Sequence, residues 1–236
     1  MRTLAILPVK SFGAAKQRLS DLLGQGSREA LAQAMFSDVL GSLRRVKGLD
    51  AIAVVTDDAR AESAARGGRV VVIRDRDETG QSDAARLGIE HAFESQFERV
   101  LLVPGDTPLL DPLEVDGLLT RATAEHLDSM IVPDRAGTGT NALLLQPPDA
   151  FAPSFGPGSL ERHIDAASAA GIRFRVERVR SLMHDVDTPD DLADLGVLLD
   201  ERRGVAPRTR GALNQLDHAQ ARAATGRRRL VIQSAA

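Results

Sequence analysis

The sequence predicts an α/β fold, in which a doubly wound, mostly parallel sheet is flanked by helices within a single domain. Short continuous apolar runs alternate with segments of helical period through the first half of the chain. The alternation then becomes irregular, which indicates a mixed sheet rather than a purely parallel one. The length of 236 residues suits one large α/β domain with a shared core.

The first half is expected to contain four buried parallel strands, because each run is short, apolar and not alternating. The predicted strands are Thr3–Val9, Ala51–Thr56, Val70–Ile73 and Arg99–Pro104. An irregular segment, Lys10–Gly26, is expected after the first strand, and a turn at Thr79-Gly80 after the third. Helices are predicted from Ser27 to about Val46, over Asp57–Arg66, over Ser82–Phe97 and from Pro112 onward.

The second half is expected to add strands of mixed direction and two helices. Strands are predicted over Asp128–Val132, Asn141–Gln146 and Arg173–Val179, with Leu182–Val186 as a further short candidate. Helices are predicted over Ser159–Ala170, which Gly171 ends, and from the Asp187-Thr-Pro-Asp190 segment to about Arg203. The first two strands flank a Gly137-Thr-Gly139 turn, as a wide hairpin or an offset pair.

The composition changes after Gly204. We predict one main domain over 1–203 and a separate C-terminal tail over 204–236, which is rich in Arg, Ala and Gln and contains Arg227-Arg228-Arg229. A solvated tail is the favoured interpretation, and a partner-docking arm or an extra helix is the alternative.

The composition excludes several classes of protein. The chain has no Cys, so disulfides, thiolate metal sites and cysteine nucleophiles are excluded. A net charge of -3 with no Trp or Tyr argues against nucleic-acid binding. No apolar run approaches the roughly 18 residues of a membrane span, and the N-terminus lacks the pattern of a signal peptide. A cytoplasmic protein without nucleic-acid or membrane partners is therefore expected.

Parallel sheets bind ligands beyond the carboxyl ends of their strands, so the loops after strands are the places to search. The loop after the first strand carries Lys10, Gly13, Lys16 and Arg18, and only three of the 30 basic residues in the chain are lysines. Such cations, with backbone N–H groups near a glycine, suit phosphate oxygens. The spacing matches neither a P-loop nor a dinucleotide fingerprint, and an ordinary basic surface loop is the alternative.

Two further loops contain carboxylates. Asp106 ends the fourth strand within Pro104-Gly105-Asp106-Thr107-Pro108, and Asp185 and Asp187 lie on the same side of an extended segment. Magnesium prefers oxygen ligands and commonly takes only one or two protein carboxylates. The alternatives are that Asp106 caps a turn or helix, and that Asp187 caps the helix beginning at Pro189.

Two glycine-containing segments are weaker candidates for anion binding. Gly137-Thr-Gly139-Thr140-Asn141 enters a strand, and Phe155-Gly156-Pro157-Gly158-Ser159 precedes a helix whose free N–H groups favour an anion. Each is also compatible with a simple turn. The five histidines lack metal-ligand spacing and are interpreted mostly as surface or packing residues, and no Ser–His–Asp signature is present.

In this order the segments resemble the molybdopterin-guanylyltransferase-like nucleotidyltransferases. Leu7-Pro-Val-Lys10, Lys16-Gln-Arg-Leu19, Gly139-Thr-Asn-Ala-Leu143 and Phe155-Gly-Pro-Gly-Ser159 are similar to motifs of the 2-phospho-L-lactate guanylyltransferase family of coenzyme F(420) biosynthesis. The resemblance spans roughly residues 3–200. It departs from the superfamily in the first loop, where a lysine-bearing segment replaces Gly-x-Gly-Thr/Ser-x-Arg-Met, and at Thr79-Gly80-Gln81-Ser82, where relatives often have Leu-Asn.

The resemblance implies a Rossmann-like fold of the nucleotide-diphospho-sugar transferase type and transfer of GMP from GTP to a three-carbon phospho-acid, with Mg²⁺ as cofactor. It implies four groups of site residues. The expected catalytic residues are Lys10, Lys16, Arg18 and Asp106, and the expected metal ligands are Asp106, Asp185 and Asp187. The expected nucleotide contacts are Lys10, Gly13, Lys16, Arg18, Gly80, Gln81, Ser82 and Gly105, and the expected substrate contacts are Thr140, Asn141, Gly156 and Ser159.

The substrate stays open among phosphoenolpyruvate, 2-phospho-L-lactate and 3-phospho-D-glycerate. The Arg- and Ala-rich composition is typical of a GC-rich bacterium and slightly favours phosphoenolpyruvate. A metal-dependent glycosyltransferase and a non-catalytic nucleotide-binding regulator are the alternative functions. A homodimer and a hand-off of product to the next transferase of the pathway are further expectations.

Overall fold

The structure is a computed structural model that describes residues 1–77 and 80–218. The strands are β1 Thr3–Pro8, β2 Ala51–Val55, β3 Val70–Ile73, β4 Arg99–Leu102, β5 Ser129–Pro133, β6 Thr140–Leu145 and β7 Phe174–Val176. The helices are α1 Gln25–Leu43, α2 Ala59–Ala65, α3 Gln81–Glu94, α4 Pro112–Ala124, α5 Ser159–Ala169, α6 Pro189–Glu201 and α7 (207–218). Short 3₁₀ turns lie at Phe12–Ala14, Gln17–Leu19 and Arg180–Leu182.

The strands form one mixed sheet in the order β3-β2-β1-β4-β6-β5-β7. β1 pairs in parallel with both β2 and β4, and β2 pairs in parallel with β3. β6 runs antiparallel to its neighbours β4 and β5, while β7 is parallel to β5. The chain winds outward from β1 to β3 and returns to β4, so the strand order reverses between β1 and β4. The predicted doubly wound, mostly parallel α/β fold is confirmed.

Alternate residues of β1 face opposite sides of the sheet, as the period of a strand requires. Ala5 and Leu7 pack with α1 and α4, whereas Leu4 and Ile6 pack with α3 and α5. A third apolar cluster lies on the other side of α1, where Leu31 and Met35 contact residues of α6 and α7. Helices therefore cover both faces of the sheet, which explains why its central strands are uniformly apolar.

Three local predictions differ from the structure. Helix α1 begins at Gln25 after Gly24 instead of being capped by Ser27. The segment Leu182–Val186 is not a strand, because a 3₁₀ turn ends at Leu182 and an irregular segment follows. The Lys10–Gly26 segment is not wholly irregular, since it contains the first two 3₁₀ turns.

The chain after Gly204 forms an extra helix over 207–218, one of the two interpretations that the sequence left open. The buried carboxylate of Asp38 in α1 accepts hydrogen bonds from the backbone N–H of Thr209 at 2.8 Å and from its hydroxyl at 2.7 Å. A carboxylate at a helix N-terminus satisfies free N–H donors and complements the helix dipole. Residues 219–236, including the predicted Arg227-Arg228-Arg229 run, lie outside the described residues, as does Thr79. The predicted division of the chain after residue 203 stays a prediction.

No helix in the described ranges is long and apolar enough to cross a membrane.

The contact between α3 and β1 requires a glycine in the helix. A Cβ atom at Gly88 would lie 2.4 Å from Cγ2 of Ile6, a distance that real Cβ contacts do not reach. We expect Gly88→Ala to lower the free energy of unfolding by about 1–3 kcal/mol through overpacking, although alanine has the higher helix propensity. Urea denaturation of the purified protein measures this difference.

Gly41 provides the matched control, because it lies inside α1 and a Cβ atom added there would meet no described atom within 4 Å apart from the neighbouring residues and backbone of its own helix. Gly41→Ala is expected to stabilise the protein by up to about 1 kcal/mol. Equal stability of the two variants would contradict the close packing of α3 on β1.

Candidate functional site

A cavity of about 300 Å³ opens at the carboxyl ends of β1 and β4, where the strand order of the sheet reverses. Such a reversal parts the loops that leave neighbouring strands and creates a crevice for a ligand. Because β6 is antiparallel to β4, the start of β6 lies at this same edge, with Leu143 opposite Leu102. Residues from the loops after β1 and β4 and from the start of β6 therefore meet in one place.

Most of the predicted site residues line this cavity. They are Lys10, Lys16, Gly80, Gln81, Gly105, Asp106, Thr140, Asn141, Asp185 and Asp187. The remaining predicted residues lie outside the lining, and they are Gly13, Arg18, Ser82, Gly156 and Ser159. The structure thus brings the first loop, the Pro-Gly-Asp segment and the late Asp-x-Asp pair into one cavity.

The ammonium group of Lys16 joins the loop after β1 to both acidic segments. Its Nζ lies 2.5 Å from Oδ2 of Asp106 and 3.0 Å from Oδ1 of Asp187. The lysine side chain is only 7% exposed, and its backbone adopts the left-handed conformation with φ 55°. Burial alone would lower the pKa of Lys16, but the two carboxylates outweigh burial and raise that pKa above its ordinary value. A charged lysine therefore bridges two carboxylates at the base of the cavity.

Asp106 and Asp187 do not cap the helices that follow them, which was the alternative interpretation of the sequence. Asp111 caps α4 by accepting the N–H of Leu113 at 2.9 Å, so Asp106 is not needed for that helix. Thr188 caps α6 in a capping box with Asp191, which leaves the carboxylate of Asp187 for Lys16. The other oxygen of Asp106, Oδ1, is buried and has no hydrogen-bond partner among residues 1–77 and 80–218. A buried carboxylate oxygen without a partner is costly unless a ligand engages it.

Asp185 is held by the side chain of Asn141. The Asn141 amide donates hydrogen bonds of 3.0 Å to Oδ1 of Asp185 and 3.0 Å to the carbonyl of Leu182. Burial, followed by the nearby charge of Asp106, raises the pKa of Asp185 to about 6 against the effect of the Asn141 hydrogen bond. Both amide hydrogens of Asn141 are used in this way, so its side chain orients Asp185.

The loop after β1 is anchored by the carboxylate of Asp58, which lies at the N-terminus of α2. Oδ2 of Asp58 accepts the backbone N–H of Phe12 at 2.9 Å, while Oδ1 caps α2 through the N–H groups of Arg60 and Ala61. Burial would raise the pKa of Asp58, but these N–H donors lower it. The guanidinium of Arg60 lies 5.3 Å from the centre of the Phe12 ring and pairs with Glu29 at 2.9 Å. The loop is thus positioned before any ligand arrives.

A buried network lies behind the start of β6. The backbone N–H of Thr140 donates to Oγ of Ser159 at 2.8 Å, and the Thr140 hydroxyl lies 2.9 Å from Nδ1 of His163. Nε2 of His163 accepts the N–H of Ser154 at 2.9 Å. Ser82, which was predicted to contact the nucleotide, accepts the N–H of Phe155 at 2.9 Å instead of lining the cavity. Ser82 and His163 therefore hold the loop before α5 from two sides.

Asp75, which lines the cavity, and His163, which lies behind it, are polar residues that were not predicted as site residues from the sequence. Asp75 is buried, lines the cavity and follows β3, so the rule applied to the loops after β1 and β4 points to it as well. His163 is wholly buried, and its sequence context contains no signal that distinguishes it from a packing histidine.

The donor set fits a divalent cation of the magnesium type. Asp106 offers a buried oxygen that has no partner in the described part of the chain, and Asp185 and Asp187 line the same cavity. Over residues 1–77 and 80–218, no three carboxylate or imidazole groups lie close enough together to hold a metal by themselves. Magnesium commonly takes one or two protein carboxylates and completes its shell with water and phosphate, so such a cluster is not required.

Comparison with known proteins decides the family. The model of a family described as "Guanylyl transferase CofC like" matches residues 3–231. The chain belongs to this family. The matched range includes α7 and extends beyond the residues 3–200 over which the motifs resemble the family.

Relatives of the CofC-like family agree with this assignment. A phosphoenolpyruvate guanylyltransferase of Conexibacter woesei is 48% identical over 92% of this chain and 97% of its own length. A 2-phospho-L-lactate guanylyltransferase of Methanothermobacter thermautotrophicus is 33% identical over 83% of this chain and 84% of its own. The expected family and the nucleotidyltransferase class are therefore confirmed.

Solved structures of lower identity share the fold of this CofC-like chain. A protein of Desulfovibrio desulfuricans, provisionally described as a nucleotide-diphospho-sugar transferase, has a TM-score of 0.71 and 19% identity, covering 92% of this chain and 96% of its own. A cytidylyltransferase of Leptospira borgpetersenii has a TM-score of 0.60 and 13% identity, covering 94% and 96% respectively. The nucleotide-diphospho-sugar transferase type of fold, expected from the motifs, is confirmed.

Proposed function

We propose that this protein transfers GMP from GTP to a three-carbon phospho-acid, with release of diphosphate, as a step of coenzyme F(420) biosynthesis. Phosphoenolpyruvate is the substrate we favour, because the Conexibacter woesei relative, which is 48% identical, carries that name. The structural observation that carries the proposal is the position of Lys16. Its ammonium lies between Asp106 and Asp187 at the reversal of the strand order, where nucleotides bind in sheets of this kind.

The reaction needs charge neutralisation more than it needs a base. A phosphate oxygen of the acid attacks the α-phosphorus of GTP, and the bond from that phosphorus to the bridging oxygen of the diphosphate breaks. The attacking phosphate is largely ionised at neutral pH, so no proton has to be removed first. The barrier comes from bringing several negative charges together, which positioned cations lower.

Lys10, Lys16 and Arg18 are the cations we assign to the triphosphate. Lys10 is exposed and lines the cavity, and Arg18 is exposed at 3.9 Å from Asp187. Lys16 is pre-placed by the carboxylates that it bridges. Lysine acts here as a compact point charge, which the broader guanidinium of arginine does not reproduce. Gly80, Gln81 and Gly105 line the same cavity and are proposed to contact the nucleotide.

Mg²⁺ is the cofactor we propose, held by Asp106, Asp185 and Asp187. When bound, it supplies positive charge that neutralises phosphate oxygens. Two observations support this assignment: the buried Oδ1 of Asp106, which no other described residue hydrogen-bonds, and the placement of Asp185 by Asn141. The protein's own part is to hold these carboxylates fixed, so that the nucleotide is bound in one orientation.

The acid is proposed to bind near the starts of β6 and α5, beside Thr140, Asn141, Gly156 and Ser159, of which Thr140 and Asn141 line the cavity. The free N–H donors expected from the sequence at the start of α5 are not offered by its first two residues, because the N–H groups of Ser159 and Leu160 donate to the carbonyls of Gly156 and Thr138. Ser159 is 1% exposed and lies outside the cavity lining, where its Oγ accepts the Thr140 N–H and so holds the start of β6 beside α5. A homodimer, hand-off of the product to the next transferase and a cytoplasmic location stay predictions from the sequence.

The direct test is diphosphate release from GTP and Mg²⁺, with phosphoenolpyruvate, 2-phospho-L-lactate and 3-phospho-D-glycerate offered separately. We expect release that depends on both GTP and an acid, with the highest kcat/KM for phosphoenolpyruvate. ATP and CTP are offered in parallel to test the base. Absence of release with every acid would contradict the transferase, and release of free nucleotide from a nucleotide sugar would favour the glycosyltransferase.

Asp106 should be indispensable for this activity. Asp106→Asn keeps the shape of the side chain but removes its charge, so kcat is expected to fall by at least about 10²- to 10³-fold. Asp111→Asn, five residues along the same segment, is the matched control, because asparagine caps α4 as well as aspartate does. Turnover by Asp106→Asn at the rate of Asp111→Asn would remove Asp106 from the site.

A further inference from the structure

His163 is buried directly behind the proposed acid-binding region. Each of its two ring nitrogens makes a hydrogen bond, one with a backbone N–H and the other with a hydroxyl group. It lies on α5 one turn after Ser159 and is wholly shielded from solvent. The ring is enclosed by Phe155 at 5.2 Å and Phe151 at 6.0 Å between ring centres. Its two nitrogens contact Ser154 and Thr140, so one side chain joins the loop before α5 to the start of β6.

The chemistry of these partners fixes the tautomer of the ring. The backbone N–H of Ser154 can only donate, so Nε2 of His163 must accept and carries no hydrogen. In the neutral ring the hydrogen is therefore on Nδ1, which donates to the hydroxyl oxygen of Thr140 at 2.9 Å. Burial, with the nearby charge of Arg162, lowers the pKa of His163 to about 4, which keeps the ring neutral at physiological pH.

The tautomer in turn fixes what Thr140 can do. A hydroxyl group has one hydrogen, and an oxygen that already accepts from Nδ1 turns its own hydrogen away from the ring. Thr140 lines the cavity, and its backbone N–H is committed to Ser159. The hydrogen of the Thr140 hydroxyl is consequently available as a donor to a ligand in the cavity. Without the Nδ1 donor the hydroxyl is free to turn and donate to the ring instead.

We propose that His163 is a positioning residue for the phospho-acid: its Nδ1–H holds the Thr140 hydroxyl with the hydrogen directed to the acid, while Nε2 holds the loop before α5. The inference rests on the proposed function, since it assigns the acid to the region of Thr140. His163 itself contacts no reacting atom. Its effect should therefore appear in the KM for the acid and leave the KM for GTP unchanged.

Two amide substitutions separate the two hydrogen bonds of His163. The Nδ2 of asparagine occupies nearly the place of Nδ1, so His163→Asn retains a donor to Thr140. The Oε1 of glutamine reaches the place of Nε2, so His163→Gln retains an acceptor for the Ser154 N–H and loses the donor to Thr140. His91→Gln is a matched control, because His91 lies on α3 outside the cavity lining, with its Nε2 3.4 Å from the hydroxyl of Ser95.

The experiment measures KM for phosphoenolpyruvate and for GTP in these variants, in Thr140→Val and in the double variant His163→Gln/Thr140→Val. A hydrogen bond to a charged group is worth about 1.5–3 kcal/mol, so Thr140→Val should raise the KM for the acid by roughly tenfold or more. His163→Gln should raise it by several-fold and His163→Asn much less. In the Thr140→Val background, His163→Gln should add almost nothing, because its effect passes through the missing hydroxyl.

Additive effects of the two substitutions, or equal rises in the KM for GTP, would overturn the proposal. A wild-type protein that releases no diphosphate would instead contradict the proposed function, so the two failures are distinguishable. The nitrogen chemical shifts of His163 in the wild-type protein test the tautomer without any substitution. A hydrogen on Nδ1 and none on Nε2 at neutral pH is expected, and the opposite tautomer or a doubly protonated ring would also overturn the proposal.

Discussion

The ion pairs of Lys16 with Asp106 and Asp187 are the interaction on which the site depends. They join three segments that are far apart in the sequence, and the buried Lys16 shares its charge between two carboxylates that are 27% and 45% exposed. Removing one partner from a buried charge group is costly, because the remaining charge loses its compensation. In the proposed function, phosphate oxygens and a divalent cation offer each of these groups an alternative partner.

The topology of the sheet explains why these groups meet. The return of the chain to β4 beside β1 places the Lys10–Arg18 loop next to Asp106, and the reversed β6 brings Thr140 to the same edge. Asp58 and Asn141 then act as fixed supports, the first for the loop after β1 and the second for Asp185. The two sides of the cavity that are proposed to bind the triphosphate and the acid are thus held by hydrogen bonds within the protein.

The fold class, the four parallel strands and the strand-end residues could be predicted from sequence, because each depends on local apolar patterning and on a general property of parallel sheets. Asp106 is identifiable for this reason, and Asp75, which was not predicted, follows β3 in the same way. Other features depend on contacts that no local pattern encodes. The capping of α6 by Thr188 rather than Asp187, the attachment of α7 to Asp38 and the role of His163 all arise from tertiary partners.

The central claim is that Lys16 and Asp106 form the base of a nucleotide site. A crystal structure with Mn²⁺ in place of Mg²⁺ and a GTP analogue that cannot be cleaved between the α- and β-phosphates tests it most directly. We predict an anomalous Mn²⁺ peak in contact with Asp106 and the ammonium of Lys16 in contact with a phosphate oxygen. A nucleotide bound elsewhere, with the Lys16–Asp106 pair intact and no metal at Asp106, would contradict the account.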